Sequence, residues 1–407
     1  MDDSGLSPSE SGRGHARPGI SALDPAELDR WMTARGEPAY RSTQVLDAVW
    51  KGLVRDVESM SSLPIELRTS VGASFRVDTI EETEVRVADA GRTEKALHRL
   101  ADGALVESVL MHYPAHGPAR ERHTLCISSQ VGCAVGCPFC ATGELGFGRD
   151  LEAAEMCDQV REAARRLGAS GARLTNVVFM GMGEPLLNLD RVLQAIEALT
   201  DPRRLGLSVR RITVSTSGVV PGIRRLTAAG ARFTLAVSLH SARDPLRDVL
   251  VPINRRWPVA DVVAAAGEHA RATGRRVSYE VTLIEGINDT QADARALAAL
   301  LGGERAHVNL IPMNPVAHTP WRASTTASVE RFARHLRGAG IAVSIRRNRG
   351  LDVGAACGQL AAERAGEPTP VAVARRRELL VRRSAAALRD EPAAVTPAAA
   401  GSGRHGD

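Results

Sequence analysis

At 407 residues the chain exceeds what one small core buries, so one large domain with a smaller companion is expected. The apolar fraction of 44% is that of a globular protein, and no apolar run reaches bilayer length, which excludes helical membrane spans. A net charge of +5 admits an anionic partner, but lysine supplies only two of the 52 cationic residues, Lys51 and Lys95. Such a skew towards arginine in an alanine-rich chain reflects GC-rich coding as much as RNA binding. The pairs Arg203-Arg204, Arg210-Arg211, Arg255-Arg256 and Arg346-Arg347 read equally well as solvated helix ends or loops.

Residues 1–20 are small, polar and Gly/Pro-rich, lack the apolar stretch of a signal peptide, and are expected to be disordered. Asp24-Pro25 ahead of AELDRWMTA marks a helix start, RSTQVLDAVW carries Val45, Leu46, Val49 and Trp50 on one helical face, and SSLPIELRTSVG adds a third short helix. Residues 21–78 are therefore expected to form a small helical domain. TEVRVAD, EKALHRL and ALVESVLMHY alternate with period two around turns at Ala90-Gly91 and Asp102-Gly103, which predicts a β-meander linker over 79–115.

Over 116–362 the pattern becomes strand, loop, helix, repeated. The expected strands are HTLCISS, LTNVVFM, RRITVST, RFTLAVSLH, VSYEVTLI, RAHVNLIP and IAVSIR. Helical patterns fall near 150–168, 188–199, 219–229, 257–273, 289–301 and 326–339. Repeated βαβ units give a parallel sheet covered by helices, and six helices are too few for a closed eight-unit barrel, so an α/β partial (β/α)6 barrel is expected. Its ligands belong at the carboxyl ends of the strands. A C-terminal helix is expected over 363–384 and a disordered tail over 385–407.

Of the six cysteines, three form Cys133-x3-Cys137-x2-Cys140, directly after the first barrel strand. Three thiolates on one short loop can hold three irons of a cubane cluster and leave the fourth iron open for a substrate. Structural zinc, the rival reading, prefers four closed ligands, and no histidine follows the triplet closely. Buried thiols acting as small hydrophobes would need a coincidence of spacing. Cys157, inside the helical EAAEMCDQV, reads as such a core residue.

The triplet, with Phe139 before its last cysteine, resembles the radical-SAM superfamily, whose members use a [4Fe-4S] cluster and S-adenosylmethionine (SAM). TLCISSQVGCAVGCPFCATGELGFGRDL, VVFMGMGEPLLN, STSGVVPGI, VSLH, VPIN, VNLIPMNP and AACGQL, in that order, are similar to the RlmN/Cfr adenine methyltransferases over roughly residues 24–362. The resemblance implies that Cys133, Cys137 and Cys140 hold the cluster. It implies that Gly183, Glu184, Ser215, Ser238, Leu239, His240 and Asn314 contact SAM from successive strand ends. It makes Cys357 a methyl-carrying cysteine among the small residues Gly354, Ala355, Ala356 and Gly358, Cys126 the cysteine that finally releases the RNA, and Glu107 the base that removes a proton. The stretch between Glu107 and Cys126 is longer here than the family's usual link.

By the same resemblance the substrates are an adenosine of 23S rRNA and the adenosine 3′ of the tRNA anticodon, methylated at C2. GEPAYRSTQVLDAVW and GFGRDL favour this over the family's C8-methylating, resistance-conferring branch. The helical domain and arginine-rich loops are expected to grip phosphates around an unstacked adenine. The implied setting is a cytoplasmic monomer, away from membranes, with an electron donor of flavodoxin or ferredoxin type. A non-catalytic RNA-binding module carrying zinc is the alternative from another class.

Overall fold

The computed structural model describes residues 17–117, 120–346, 349–360 and 370–389. Three helices open it, α1 (Pro25–Thr33), α2 (Tyr40–Trp50) and α3 (Ile65–Ser74). Asp24 caps α1 as its place before Pro25 predicts, its Oδ1 accepting the Ala26 N–H at 2.9 Å. Leu28, Met32, Val45, Leu46 and Val49, spaced to share a helical face, are buried together. Strands β1 (Ile80–Ala88), β2 (Thr93–Leu100) and β3 (Leu105–Tyr113) follow as an antiparallel meander.

The repeating part starts with β4 (Arg122–Ile127), followed by the hairpin of β5 (Gln130–Gly132) and β6 (Phe147–Asp150), with the short helix α4 (Ala141–Glu144) between them. Then come α5 (Ala153–Ala169), β7 (Asn176–Phe179), α6 (Leu189–Thr200), β8 (Ile212–Thr216), α7 (Val220–Ala228) and β9 (Thr234–Ser238). Helices α8 (Asp244–Leu250) and α9 (Val259–Thr273) lead to β10 (Val277–Leu283), α10 (Gln291–Leu301), β11 (Ala306–Pro312), α11 (Thr326–Gly338) and β12 (Ala342–Ile345). From β4 to β12 neighbouring strands of the main sheet are parallel. Six crossovers thus join seven parallel strands, the one between β9 and β10 carrying both α8 and α9, in the expected partial barrel. The sheet is open, running β1-β2-β3-β4-β7-β8-β9-β10-β11-β12.

The meander is more than a linker. β3 pairs with β4 with Val109 opposite Cys126 and Tyr113 opposite Arg122, so the meander extends the barrel sheet. The helical unit is locked onto it by Arg161 of α5, which is fully buried. Its guanidinium donates to Val49 O (3.0 Å), Val54 O (2.6 Å), Val77 O (2.8 Å), Asp78 Oδ1 (2.6 Å) and Asp158 Oδ1 (2.7 Å). Asp158 also accepts the Thr79 N–H and hydroxyl, so the buried charges are paired and saturated.

Both expected disordered ends need correction where the structure describes them. Pro18 O accepts the Arg76 N–H at 2.9 Å, Ile20 N–H donates to Arg76 O at 2.9 Å and the Ile20 side chain is buried, so residues 18–20 are ordered where composition looked featureless. Helix α12 (Pro370–Arg389) runs beyond 384, because AAALR is strongly helix-forming and buries Ala387 beside Leu380 against the α8 region. Residues 1–16, 361–369 and 390–407 lie outside the described residues. No helix among those described is long and apolar enough to cross a membrane.

Candidate active site

The loop between β5 and α4 carries Cys133, Cys137 and Cys140. It is closed by Cys133 N–H to Gly146 O (2.8 Å) and Cys140 N–H to Cys137 O (3.1 Å). Burial pushes the Cys133 thiol up to about 12 and raises Cys137 and Cys140 as well, with the neighbouring thiols adding to the shift. The hairpin behind the loop is anchored by Arg149, which forks onto Glu155 at 2.8 Å twice and reaches Asp102 Oδ2 at 2.6 Å. This accounts for GFGRDL: the arginine ties the loop's exit to the capping box of α5 and to the β2–β3 turn.

One cavity of about 160 Å³ gathers the three cysteines with Gly183, Glu184, Ser215, Ser238, His240, Asn314 and Cys357. These residues come from the carboxyl ends of different strands and from the last loop, the rim where the barrel collects its loops. Gly183 takes φ +102°, and a Cβ there would stand 2.8 Å from Gln130 N, so only glycine permits the approach to the β5 strand. Glu184 is buried and committed within the protein. Its Oε2 accepts Ser217 N–H (2.6 Å) and Oγ–H (2.7 Å), its Oε1 accepts Leu186 N–H (3.0 Å), and its own N–H donates to Gln130 Oε1 (2.8 Å). Burial raises its pKa while these donors oppose the shift.

Ser215 and Ser238 face each other, Oγ to Oγ 3.4 Å. His240 has φ +60° and is held by Asn288 Nδ2 on its carbonyl (2.8 Å). Its Nδ1 accepts the Thr282 N–H at 3.0 Å, and its ring meets Phe139 edge-on at 4.7 Å. Burial, aided by Arg247, drives its pKa down to about 3, so it is a neutral imidazole. Leu239 differs from its neighbours: it is buried and outside the cavity lining, and its carbonyl accepts from Arg247 Nε at 3.0 Å. The same arginine donates to Ser217 O (2.6 Å) and Asn254 Oδ1 (2.7 Å), joining the ends of β8 and β9 to VPIN.

Cys357 enters because its loop is pinned to the cysteine triplet. Ala141 N–H donates to Gly358 O at 2.6 Å, Thr142 Oγ1 to Leu360 O at 2.6 Å, and Asn314 Nδ2 to Cys357 O at 2.7 Å. Gly358 has φ +81°, and a Cβ there would press to 3.3 Å from Phe139 O. Cys126 lies under the lining on β4. Burial, then the proximity of Cys357, push its thiol up to about 12. Glu107 sits apart from the main cavity, in a small crevice with Lys95, whose Nζ is 2.9 Å from its Oε1. Lys95 pairs opposite Val109, which pairs opposite Cys126, and Gly354 of the Cys357 loop lies beside the ammonium, so the crevice abuts that loop. Cys157 is fully buried in the core, as expected.

Three residues escaped sequence reasoning. Glu280 lines the cavity with its carboxylate on Ser278 Oγ (2.8 Å) and Asn309 Nδ2 (2.7 Å). Arg346, grouped above with basic runs, lines the cavity and is raised first by Cys357, then by Tyr113, Glu280 and Cys126. Lys95 stood out only by rarity. One of only two lysines in an arginine-saturated chain, it gave no other signal.

The site accommodates a cluster and SAM. Thiolates are the ligands of choice for iron–sulfur groups, and three of them line one cavity together with polar groups from successive strand ends. Asn314 Oδ1 is buried there without a hydrogen-bond partner among the described residues, an acceptor waiting for a donor such as an ammonium group. No three metal-ligating side chains among those described converge on one ion; a cubane spreads its thiolates over separate irons. This is the arrangement of a radical-SAM enzyme.

The model of the radical SAM superfamily matches residues 127–299, and that of the ribosomal RNA large subunit methyltransferase N-terminal domain matches 20–77. A probable dual-specificity RNA methyltransferase RlmN of Parafrankia sp. is 47% identical over 372 residues, 88% of this chain and 95% of the relative. One from Frankia alni is 49% identical over 362 residues, covering 86% of this chain and 85% of the relative. The crystal structure of a radical SAM methyltransferase from Sphaerobacter thermophilus superimposes with TM-score 0.81 at 43% identity, over 85% of this chain and 99% of that one. The chain belongs to the RlmN family of radical-SAM RNA methyltransferases, which use a [4Fe-4S] cluster and SAM. Membership sets aside the zinc-binding module.

Proposed function

We propose that this enzyme methylates C2 of an adenosine in 23S rRNA and of the adenosine 3′ of the tRNA anticodon, with Cys357 as methyl carrier. The observation that carries this is the pinning of the Cys357 loop onto the triplet loop through Ala141, Thr142 and Asn314. A thiol held in the same cavity as a cluster site is placed to receive a methyl group and then to present it.

In this reading Cys133, Cys137 and Cys140 hold the cluster. Gly183 and Glu184, with Ser215, Ser238, His240 and Asn314, hold SAM, and Leu239 contributes as the support between Ser238 and His240. Cluster and SAM, when bound, supply the methyl group and the radical chemistry that an unreactive aromatic carbon demands. Cys357 Sγ takes the methyl and delivers it to the adenine, so that protein and RNA are joined through it. Glu107, positioned by Lys95, accepts the C2 proton. Cys126 Sγ then attacks Cys357 Sγ, forming a disulfide and freeing the methylated base. Neutral His240 adds no positive charge beside the SAM sulfonium.

Residues 21–78 act as an RNA-gripping unit beside the barrel, and the chain works as a monomer, since every residue in this scheme comes from one copy. An external one-electron donor of flavodoxin or ferredoxin type completes the cycle, in a thiol-reducing compartment such as the cytoplasm. Nucleoside mass analysis of RNA treated with the reconstituted enzyme is the test. 2-Methyladenosine is expected; 8-methyladenosine would move the enzyme to the C8 branch, and no methylated adenosine would refute the proposal.

A further inference from the structure

Tyr113 ends β3, and two guanidinium groups lie over its ring: the carbon of Arg122 is 4.2 Å from the ring centroid and that of Arg349 is 4.3 Å. Arg122 reaches it as the cross-strand partner in the β3–β4 ladder, and Arg349 because its Nη1 donates to His112 O at 3.0 Å. Arg346 is close enough to feel the Tyr113 hydroxyl and Cys357. The nearby carboxylates are engaged elsewhere. Glu94 pairs with His112 and Arg166, and Glu121 with His123. Among the described residues no carboxylate forms an ion pair with Arg122, Arg346 or Arg349, while Tyr113 and Arg349 are half-buried and Arg122 is exposed. The Glu280 carboxylate acts on Arg346, whereas the two guanidiniums on the ring have no ion-paired carboxylate among the described residues and form a site shaped for an anion.

The ladder fixes where this site stands. Tyr113 and Arg122 lie four residues along from the Val109–Cys126 pair and on the same face, about 14 Å away at the usual strand rise. A base drawn out of its stack towards Cys126 and Cys357 leaves its neighbouring nucleotides within that distance. With both guanidinium groups lying over the ring, it is the arginine planes held there that suit such nucleotides, since a guanidinium plane stacks on any base and its N–H groups donate to the adjoining phosphates.

We propose that Tyr113, clasped by Arg122 and Arg349, is the platform on which the RNA nucleotides flanking the target adenine dock. This rests on the RNA methyltransferase reading of the neighbouring cavity. The test measures binding of a fluorescein-labelled RNA hairpin with unpaired loop adenosines to the cluster-reconstituted enzyme by anisotropy, across a salt series. Tyr113→Ala should weaken binding about 10-fold, within the range for one lost stacking contact, while Tyr113→Phe, which keeps the ring, should bind like wild type. Arg122→Gln, an exposed change that leaves folding intact, should flatten the logarithmic salt dependence by roughly 0.7–0.9, the share of one phosphate. Wild-type affinity and salt slope in both Tyr113→Ala and Arg122→Gln would overturn the platform while leaving the methyltransferase reading intact. If the wild-type enzyme binds no RNA hairpin, both fall together.

Discussion

Replacing Arg161 by Met should release the N-terminal helical unit from the barrel before the barrel itself unfolds. The arginine is fully buried, and its partners come from three places: the end of α2 and the segment after it (Val49, Val54), the entry to β1 (Val77, Asp78), and α5 itself (Asp158). Methionine fills much of the volume but leaves three backbone carbonyls without this donor and Asp158 buried beside only Thr79. Breaking a buried ion pair from one side costs about 3–5 kcal/mol, because the remaining charge stays desolvated. For a body of this size that corresponds to a first melting transition roughly 6–20 °C lower. Hydrogen exchange resolved by segment is the assay. Amides of α1–α3 should lose protection while β7–β10 keep theirs, and SAM cleavage without RNA should persist as RNA methylation falls. Wild-type protection of α1–α3 in Arg161→Met would refute the idea that this guanidinium is the lock.

The site yields further expected outcomes. Cys137→Ala should leave the reconstituted protein without its iron–sulfur absorbance and without reductive SAM cleavage; full cleavage would remove the triplet from its proposed role. Cys357→Ala should keep the iron and transfer no methyl group to RNA, and intact-protein mass should find no methyl on Cys126 or Cys157 in its place. Cys126→Ala should accumulate a protein–RNA adduct that survives denaturant and is destroyed by nuclease; normal turnover would make Cys126 a core residue. In the wild type, burial holds the Cys126 thiol near 12, so it is protonated at neutral pH and its attacking form grows as pH rises. Adduct resolution in single turnovers should therefore accelerate from pH 7 to 9, by about tenfold per unit, and a flat profile would show that another group takes its proton.

Elements with strong local periodicity were legible from residue order: the seven barrel strands, the crossover helices α5, α6, α7, α9, α10 and α11 and the Asp24-Pro25 helix start lie where the patterns predict, while the short α8 was missed. The triplet was legible because its three residues sit on one loop. What escaped depends on partners far apart in the chain. Arg346 looked like half of a surface Arg-Arg pair, yet it faces Cys357 because the loop after β12 crosses back over β3. Glu280 alternates correctly on β10, but nothing in VSYEVTLI says that Asn309 of the next strand will satisfy it. Glu184 matched a ligand motif, and only the fold reveals that Ser217, thirty-three residues on, takes its carboxylate. The order of residues 17–20 was missed because a single apolar anchor, Ile20, hides in a polar composition.

The β3–β4 ladder has a consequence for how this enzyme tolerates change. Lys95, Val109 and Cys126 stand opposite one another on three adjacent strands, and Glu107 lies two residues from Val109 on the same face. Their separation is set by backbone pairing, so the connection between Tyr113 and Arg122 can lengthen without moving Glu107 relative to Cys126. The long link noted in the sequence is thus chemically silent. A one-residue slip within the ladder would instead turn one partner to the opposite face. Residues added at the hairpin's tip would reshape what is recognised there while Glu107 and Cys126 stay in register.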